Sequence, residues 1–322
     1  MHSMLEEIES EPAIVEDFKT KEFADLERVH NILDRSRVIY AIGNGTSYHA
    51  AIYLSVLLNR KGMTCIPIFS SEAEKSLSVK QSGTSSIVFS QSGNSIDALR
   101  SAEMLKRAGS TVIGITNASK SKLGKITDFT IHTDVGSELS VAATKSHLSQ
   151  LLTSLKISLN SHDEEFTVTL EEIRRGTKAI VDGKKTIQGI AETSARNTVF
   201  LGSGLLYPIA LEASLKLMET SNAVSYAFPV REFLHGPKQI LDSNWSVFMF
   251  SNDSKISEEL LSYGSKVLDV KNFLTEKYDV STQNETVESI LSLLFGQFLA
   301  YYSSISLGLN PDKPSKLTKV VE

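Results

Sequence analysis

Short runs of β-branched and apolar residues alternate with longer, mostly apolar stretches along much of the chain. Arg37-Val38-Ile39-Tyr40-Ala41-Ile42 predicts a strand that runs into Gly43-Asn44-Gly45-Thr46-Ser47, followed by a helix from Tyr48 to about Asn59. The same order returns later: Asn197-Thr198-Val199-Phe200-Leu201, then Gly202-Ser203-Gly204, then a helix from Leu205 to about Ser221. Gly43, Gly45 and Tyr48 fall on Gly202, Gly204 and Tyr207 at one separation, 159 residues. Ile87-Val88-Phe89-Ser90 likewise resembles Val247 to Ser251, and Gly109 to Ile113 resembles Gly264 to Leu268.

Strands alternating with helices predict parallel sheets with right-handed crossovers. The expected fold is α/β: two tandem doubly wound, flavodoxin-like parallel-sheet domains, with ligands at the carboxyl ends of the strands. The ranges expected are a helical lead-in over 1–26, a first domain over 27–160, a connecting helix over 161–185, a second domain over 186–308 and a tail over 309–322 that closes the active site.

The 322 residues are 41% hydrophobic and 22% charged, with net charge −5. That leaves no broad basic field, so no nucleic-acid partner is expected. No run approaches the roughly 18 apolar residues of a membrane span, and the acidic start through Glu7 lacks the apolar core of a signal peptide. Cys65 is the single cysteine, which excludes an intramolecular disulfide and suits a reducing cytoplasm. Its place in the apolar run Met63 to Phe69 reads as a buried strand residue.

Ser90-Gln91-Ser92-Gly93-Asn94-Ser95 stands between a strand and a helix opening at Ile96. Hydroxyls and amides gathered at a helix start suit a dianion, and Gly93 permits close backbone approach. The plainer reading, serine as a helix cap, stays open for Ser92 or Ser95 alone. Gly43 to Ser47 has the same setting but lacks a full GxGxxG and a ribose acid, so no dinucleotide site is expected. A third polar loop, Val141-Ala142-Ala143-Thr144-Lys145, again opens a helix.

Glu212, Lys216 and Glu219 stand at i, i+4 and i+7 of the second apolar helix, on one narrow face. Leu206, Ile209, Ala210, Leu211, Ala213, Leu215, Leu217 and Met218 fill its remaining surface. A helix apolar nearly all round is buried, and it carries such charges only where they meet one another or a wet cleft. A cleft of that kind suits a glutamate general base. His235, in Arg231 to Pro237, reads by itself as a structural histidine, and His49, His132 and His147 show no metal-ligand spacing.

Seven ordered motifs then carry a resemblance: MLEEIESEP, GNGTS, SQSGNS, ELSVAATK, LGSGLLYPIALEASLKLMETS, EFLHGP and LNPDKPSKLTKVVE. Along nearly its whole length the chain resembles the sugar isomerase (SIS) superfamily. It is similar to the isomerase half of the glutamine–fructose-6-phosphate aminotransferases, and closer still to the archaeal glucosamine-6-phosphate deaminases. The resemblance implies that Glu219 moves a proton between C2 and C1, that His235 opens the sugar ring, often from a neighbouring subunit, and that Lys216 and Glu212 orient the open chain. It implies that Lys319 closes over the substrate, that Ser90, Gln91, Ser92 and Ser95 hold the phosphate, and that Asn44, Gly45, Thr46, Ser47, Val141 and Ala143 line the sugar. Asn44 stands where the synthases have cysteine, Ala143 where they have serine, Met218 where they have lysine and Ser315 where they have arginine. Nothing in the sequence corresponds to an amidotransferase domain, so glutamine hydrolysis is not expected.

The expected activity is isomerising deamination of glucosamine 6-phosphate to fructose 6-phosphate and ammonia, by a homodimer, with no metal or other cofactor. A hexose-phosphate aldose–ketose isomerase, an ammonia-dependent synthase and a fructosamine-phosphate deglycase remain open alternatives. So does a non-catalytic sugar-phosphate sensor, although no basic helix-turn-helix segment accompanies it.

Overall fold

The computed structural model describes residues 2–77, 80–159 and 164–319. Asn160, at the expected edge of the first domain, the first residues of the expected connecting helix and the last three of the tail lie outside the described residues. Two compact units are present, and they interleave in sequence. One, the amino-terminal unit, comprises Asp17–Glu138, Lys145–Thr167 and the residues from Thr318; the other, the carboxy-terminal unit, comprises the residues through Glu16, Leu139–Thr144 and Val168–Leu317. The expected lead-in over 1–26 is therefore divided: the residues through Glu16, with the helix Ser3–Glu9, belong to the carboxy-terminal unit, and those from Asp17 to the amino-terminal one. Glu7 explains the division, since its carboxylate accepts from the amide and hydroxyl of Ser140 at 3.3 and 2.5 Å.

The amino-terminal unit holds a five-stranded sheet of β1 (Val38–Gly43), β2 (Cys65–Phe69), β3 (Thr84–Phe89), β4 (Thr111–Thr116) and β5 (Phe129–His132). Every pairing is parallel and the order is β2-β1-β3-β4-β5. All six residues of β3 are buried, as expected of a central strand covered on both faces. Ile42, Val88 and Val112 meet Ala98, Ala102 and Leu105 of the helix Ile96–Arg107 in one cluster.

The carboxy-terminal unit repeats the plan with β6 (Asn197–Gly202), β7 (Val224–Pro229), β8 (Trp245–Met249) and β9 (Lys266–Asp269), in the parallel order β7-β6-β8-β9. The expected connecting helix is two helices, Glu164–Asp182 and Lys185–Thr193. They part at Gly183, where a Cβ would lie 2.6 Å from the Tyr278 ring. The helix Leu206–Ser221 packs on the 22-residue helix Glu285–Ser306. A Cβ on Gly296 would come within 2.7 Å of the Ala213 Cβ, and Thr220 Oγ1 donates to the Ala300 carbonyl at 3.1 Å. Such close backbones leave no solvent on that side of Leu206–Ser221, and Ile209, Ala210 and Ala213 are all buried.

The repeat read at 159-residue separation has one physical cause in both units. A Cβ on Gly43 would lie 2.4 Å from the backbone of Ser47, and one on Gly202 would lie 2.3 Å from the carbonyl of Leu206. Each strand thus ends pressed against the first turn of its own helix. Gly45 (φ +51°) and Gly204 (φ +58°) supply the left-handed turn between them.

Candidate active site

Glu212, Lys216 and Glu219 form one ionic cluster on the helix Leu206–Ser221. Lys216 Nζ lies 3.4 Å from Glu212 Oε1 and donates to Glu219 as well. Only 1% of the Lys216 and Glu212 side chains is exposed, against 21% for Glu219. Burial pulls the Lys216 ammonium towards neutrality, but the Glu212 and Glu219 carboxylates together outweigh it and hold the group charged well above the ordinary lysine range. The outcome is a buried cation with one sealed and one accessible carboxylate. Chemically, Glu219 can exchange a proton with something outside, and Lys216 offers positive charge beside it.

His235 lies in the same unit, exposed, one turn past the short helix Val230–Phe233. Its amide donates to the Glu232 carbonyl at 3.0 Å.

The loops after β1 and β3 lie in the amino-terminal unit, on the two strands where the order reverses, the point at which α/β sheets take their ligands. Asn44 Nδ2 donates at 3.1 Å to Asp97, in the first turn of Ile96–Arg107, and so ties the two loops together. Its carbonyl oxygen accepts from the Ser71 amide at 3.4 Å. The sequence pointed to Asn44 as a ligand contact; the structure employs its amide as a tie.

Ser90 is buried and accepts from the Gly93 amide at 3.1 Å, and Ser92 accepts from the Asn94 amide at 3.2 Å. Ser95 stands at the cap position of Ile96–Arg107 without making a side-chain cap bond, so the plain capping reading does not hold for it. Gln91 is half-buried, and its carbonyl takes the Asn117 amide at 3.0 Å. Gly93 has φ +60°, and a Cβ there would lie 2.3 Å from that of Ser121. Packing against Ser121 therefore demands this glycine, in addition to any approach by a ligand.

Thr46 and Ser47 open the helix Thr46–Arg60, and Ser47 receives a bond from Gln150 Nε2 at 3.1 Å. Gln150 was not among the residues expected from the sequence. It sits five residues into the helix Lys145–Ser158, where a buried glutamine has no local signature.

In the carboxy-terminal unit the positions of Thr46 and Ser47 are held by Leu205 and Leu206. There the Leu205 amide donates to Glu285 Oε1 at 2.8 Å. A protein carboxylate thus fills the place an anion would take at that helix start, and the hydroxyls survive only in the amino-terminal unit.

Val141 and Ala143 belong to the segment Leu139–Thr144 of the carboxy-terminal unit, and both are half-buried. The Val141 amide is engaged by the Asp312 carbonyl at 3.2 Å, while Asp312 also accepts from the amides of Ser3 and Met4, both at 2.8 Å. In the amino-terminal unit Lys319 Nζ donates to Glu138 at 2.7 Å. Glu138, with none of its side chain exposed, accepts also from the amide and hydroxyl of Ser146, at 3.1 and 2.7 Å.

Two parallel sheets, each flanked by helices, define an α/β protein. Residues 32–155 match the SIS domain family. Over 99% of its length the chain is 32% identical to the glutamine–fructose-6-phosphate aminotransferase of Sulfurisphaera tokodaii, of which the match spans 56%. The chain thus corresponds to little more than half the length of that relative. Among solved structures, glucosamine-6-phosphate deaminase from Thermotoga maritima matches with TM-score 0.83 and 28% identity, covering 99% of both chains. The C-terminal domain of the aminotransferase from Francisella tularensis matches with TM-score 0.85 and 26% identity, over 97% of this chain and 98% of that one. The chain carries a SIS domain over residues 32–155 and resembles sugar isomerase (SIS) superfamily enzymes along nearly its whole length. Among the described residues, no helix is long and apolar enough to cross a membrane.

Proposed function

We propose that the chain is an isomerising glucosamine-6-phosphate deaminase. The observation that carries this reading is the cluster on Leu206–Ser221, in which Glu219 alone is partly exposed beside a buried lysine kept charged. The match to a deaminase structure along the whole chain supports it.

In the proposed reaction His235 assists opening of the pyranose to the aldehyde, whose carbonyl acidifies the proton on C2. Glu219 takes that proton and the C1 oxygen takes one from water, leaving an enolamine with the hydroxyl on C1 and the amine on C2. Lys216 balances the negative charge that develops, and Glu212 holds Lys216 in place. Glu219 returns the proton to C1, which gives the C2 ketimine. Water adds at C2, and the carbon–nitrogen bond breaks to give fructose 6-phosphate and ammonia. The phosphate is assigned to Ser90, Gln91, Ser92 and Ser95, other sugar oxygens to Thr46 and Ser47, and closure over the substrate to Lys319. Because Glu285 occupies the corresponding helix start in the carboxy-terminal unit, the amino-terminal unit is the better phosphate holder.

Purified protein with glucosamine 6-phosphate is expected to release ammonia, and Glu219→Gln to reduce the rate by roughly 10²- to 10⁴-fold, as loss of a general base does. No ammonia from the native chain, or equal rates for the two proteins, would remove this reading. We further propose a homodimer in which His235 serves the neighbouring subunit's site. Mixing inactive Glu219→Gln with inactive His235→Ala should then restore activity by forming hybrids with one intact site; two pure variants that stay inactive together would exclude the exchange.

A further inference from the structure

Gln150 is 3% exposed, and its Nε2 donates to Ser47 Oγ at 3.1 Å. Both residues lie in the amino-terminal unit, Ser47 in the first turn of Thr46–Arg60 and Gln150 on Lys145–Ser158. The glutamine's other end, Oε1, is buried with no hydrogen-bond partner. As placed, Nε2 gives one of its two N–H donors to Ser47 and leaves the other donor and the Oε1 acceptor without a partner among the described residues; turned over, the amide would leave both donors unpaired. In the structure it is the donor end that faces Ser47.

A serine hydroxyl has one proton and two lone pairs. With one lone pair taken by Gln150, its proton must point elsewhere, and among the described residues Ser47 Oγ has no acceptor for it. We infer that Gln150 is a positioning residue that fixes Ser47 as a hydrogen-bond donor to the bound sugar phosphate. The inference rests on the proposed reading that Ser47 touches substrate, and adds how its polarity is set. With its proton free and one of its lone pairs taken, Ser47 favours an acceptor oxygen of the ligand, such as a phosphate or carbonyl oxygen. It also accounts for a glutamine kept where its carbonyl goes unpaired: leucine or methionine would fill the space without that cost but could not orient the serine.

The test compares the full-length native chain with Ser47→Ala, Gln150→Met, Gln150→Leu and Ser47→Ala/Gln150→Met. It measures kcat and KM for glucosamine 6-phosphate, the calorimetric Kd for fructose 6-phosphate and the thermal midpoint. Gln150→Met and Gln150→Leu are expected to raise KM and Kd about five- to tenfold with little change in kcat, the pattern of a lost binding contact. Their thermal midpoint is expected to hold or rise, because the unpaired carbonyl goes with the amide. In the Ser47→Ala background the second substitution should add nothing. If Ser47→Ala raises KM and Kd while neither Gln150 variant does, or if the effects simply multiply in the double variant, Gln150 does not act through Ser47. If Ser47→Ala leaves both constants unchanged, the underlying reading of Ser47 as a substrate contact fails, and the inference with it.

Discussion

Glu212 and Lys216 meet at 3.4 Å on successive turns of one helix, each with only 1% of its side chain exposed. An ion pair this dry is a weak source of net stability, because desolvating both charges offsets most of their attraction. Its persistence in a helix otherwise filled with leucine and alanine is therefore better explained by what the pair holds ready, which is Glu219. Half of the arrangement is structural and half is chemical, and substitution can separate them.

Lys216→Met alone is expected to destabilise the chain by about 3–5 kcal/mol, because Glu212 is left buried and uncompensated. The double variant Glu212→Leu/Lys216→Met removes both charges and should recover most of that loss while lacking the proposed deaminase activity. Chemical denaturation with a parallel ammonia assay reads both. A double variant as unstable as the single one would mean that the helix needs these side chains for packing and not for charge balance.

Cys65 offers a pH test away from any proposed chemistry. Burial pushes its thiol from the usual 9.0 up to about 12, and Asn59 brackets the residue by accepting from its amide and donating to its carbonyl, both at 2.9 Å. Between those two values the folded chain keeps the thiol proton and the unfolded chain has lost it. Stability from this residue is then complete below pH 9 and falls as the pH climbs towards 12. Alkylation by iodoacetamide at pH 8 should be slow and should track global unfolding in urea. Fast labelling of the folded chain would show that Cys65 reaches solvent by local opening.

The tail makes its own prediction. Glu138 binds Ser146 through two bonds and Lys319 through a third, so Glu138→Gln can keep the serine contacts and lose the charge facing the lysine. If Lys319 acts on substrate, Glu138→Gln and Lys319→Met should both lower kcat, the former by about tenfold, the worth of one charge-assisted bond. A Lys319→Met enzyme that is impaired beside a Glu138→Gln enzyme matching the native one would show that the ion pair does not set the position of Lys319.

What the sequence disclosed followed from how local each cause was. The strand–turn–helix repeat was legible because a glycine pressed on the next helical turn leaves a mark within five residues, at Gly43 and again at Gly202. The charged stripe was legible because a helix brings positions 212, 216 and 219 to one face whatever surrounds it. Gln150 on Ser47, Glu285 on the Leu205 amide and Glu7 on residue 140 were not legible, because each joins positions some 80 to 133 apart in the chain. No period or motif encodes such a distance. Asn44 shows the complementary limit: its motif drew attention to this loop, but only the neighbouring Asp97 reveals that its amide is already engaged.

The glycines of the repeat allow conformation to be separated from close packing. Gly43 and Gly202 would each drive a Cβ into backbone atoms at 2.4 and 2.3 Å, contacts that no rotamer change can relieve. Gly45, by contrast, faces open space, and alanine there incurs only the backbone strain of φ +51° with ψ −130°, about 1–3 kcal/mol. Gly43→Ala and Gly202→Ala must instead push strand and helix apart, and each is expected to cost more than Gly45→Ala, in line with overpacked cores at about 1–3 kcal/mol or beyond. Their functional effects should then diverge. Gly43→Ala shifts Ser47 and is expected to raise KM for glucosamine 6-phosphate. Gly202→Ala shifts Leu206, at the far end of the helix from Glu219, where Glu285 already secures the first turn, and should lower the thermal midpoint with a smaller change in KM. Equal KM changes from the two substitutions would contradict the assignment of substrate oxygens to the amino-terminal unit alone.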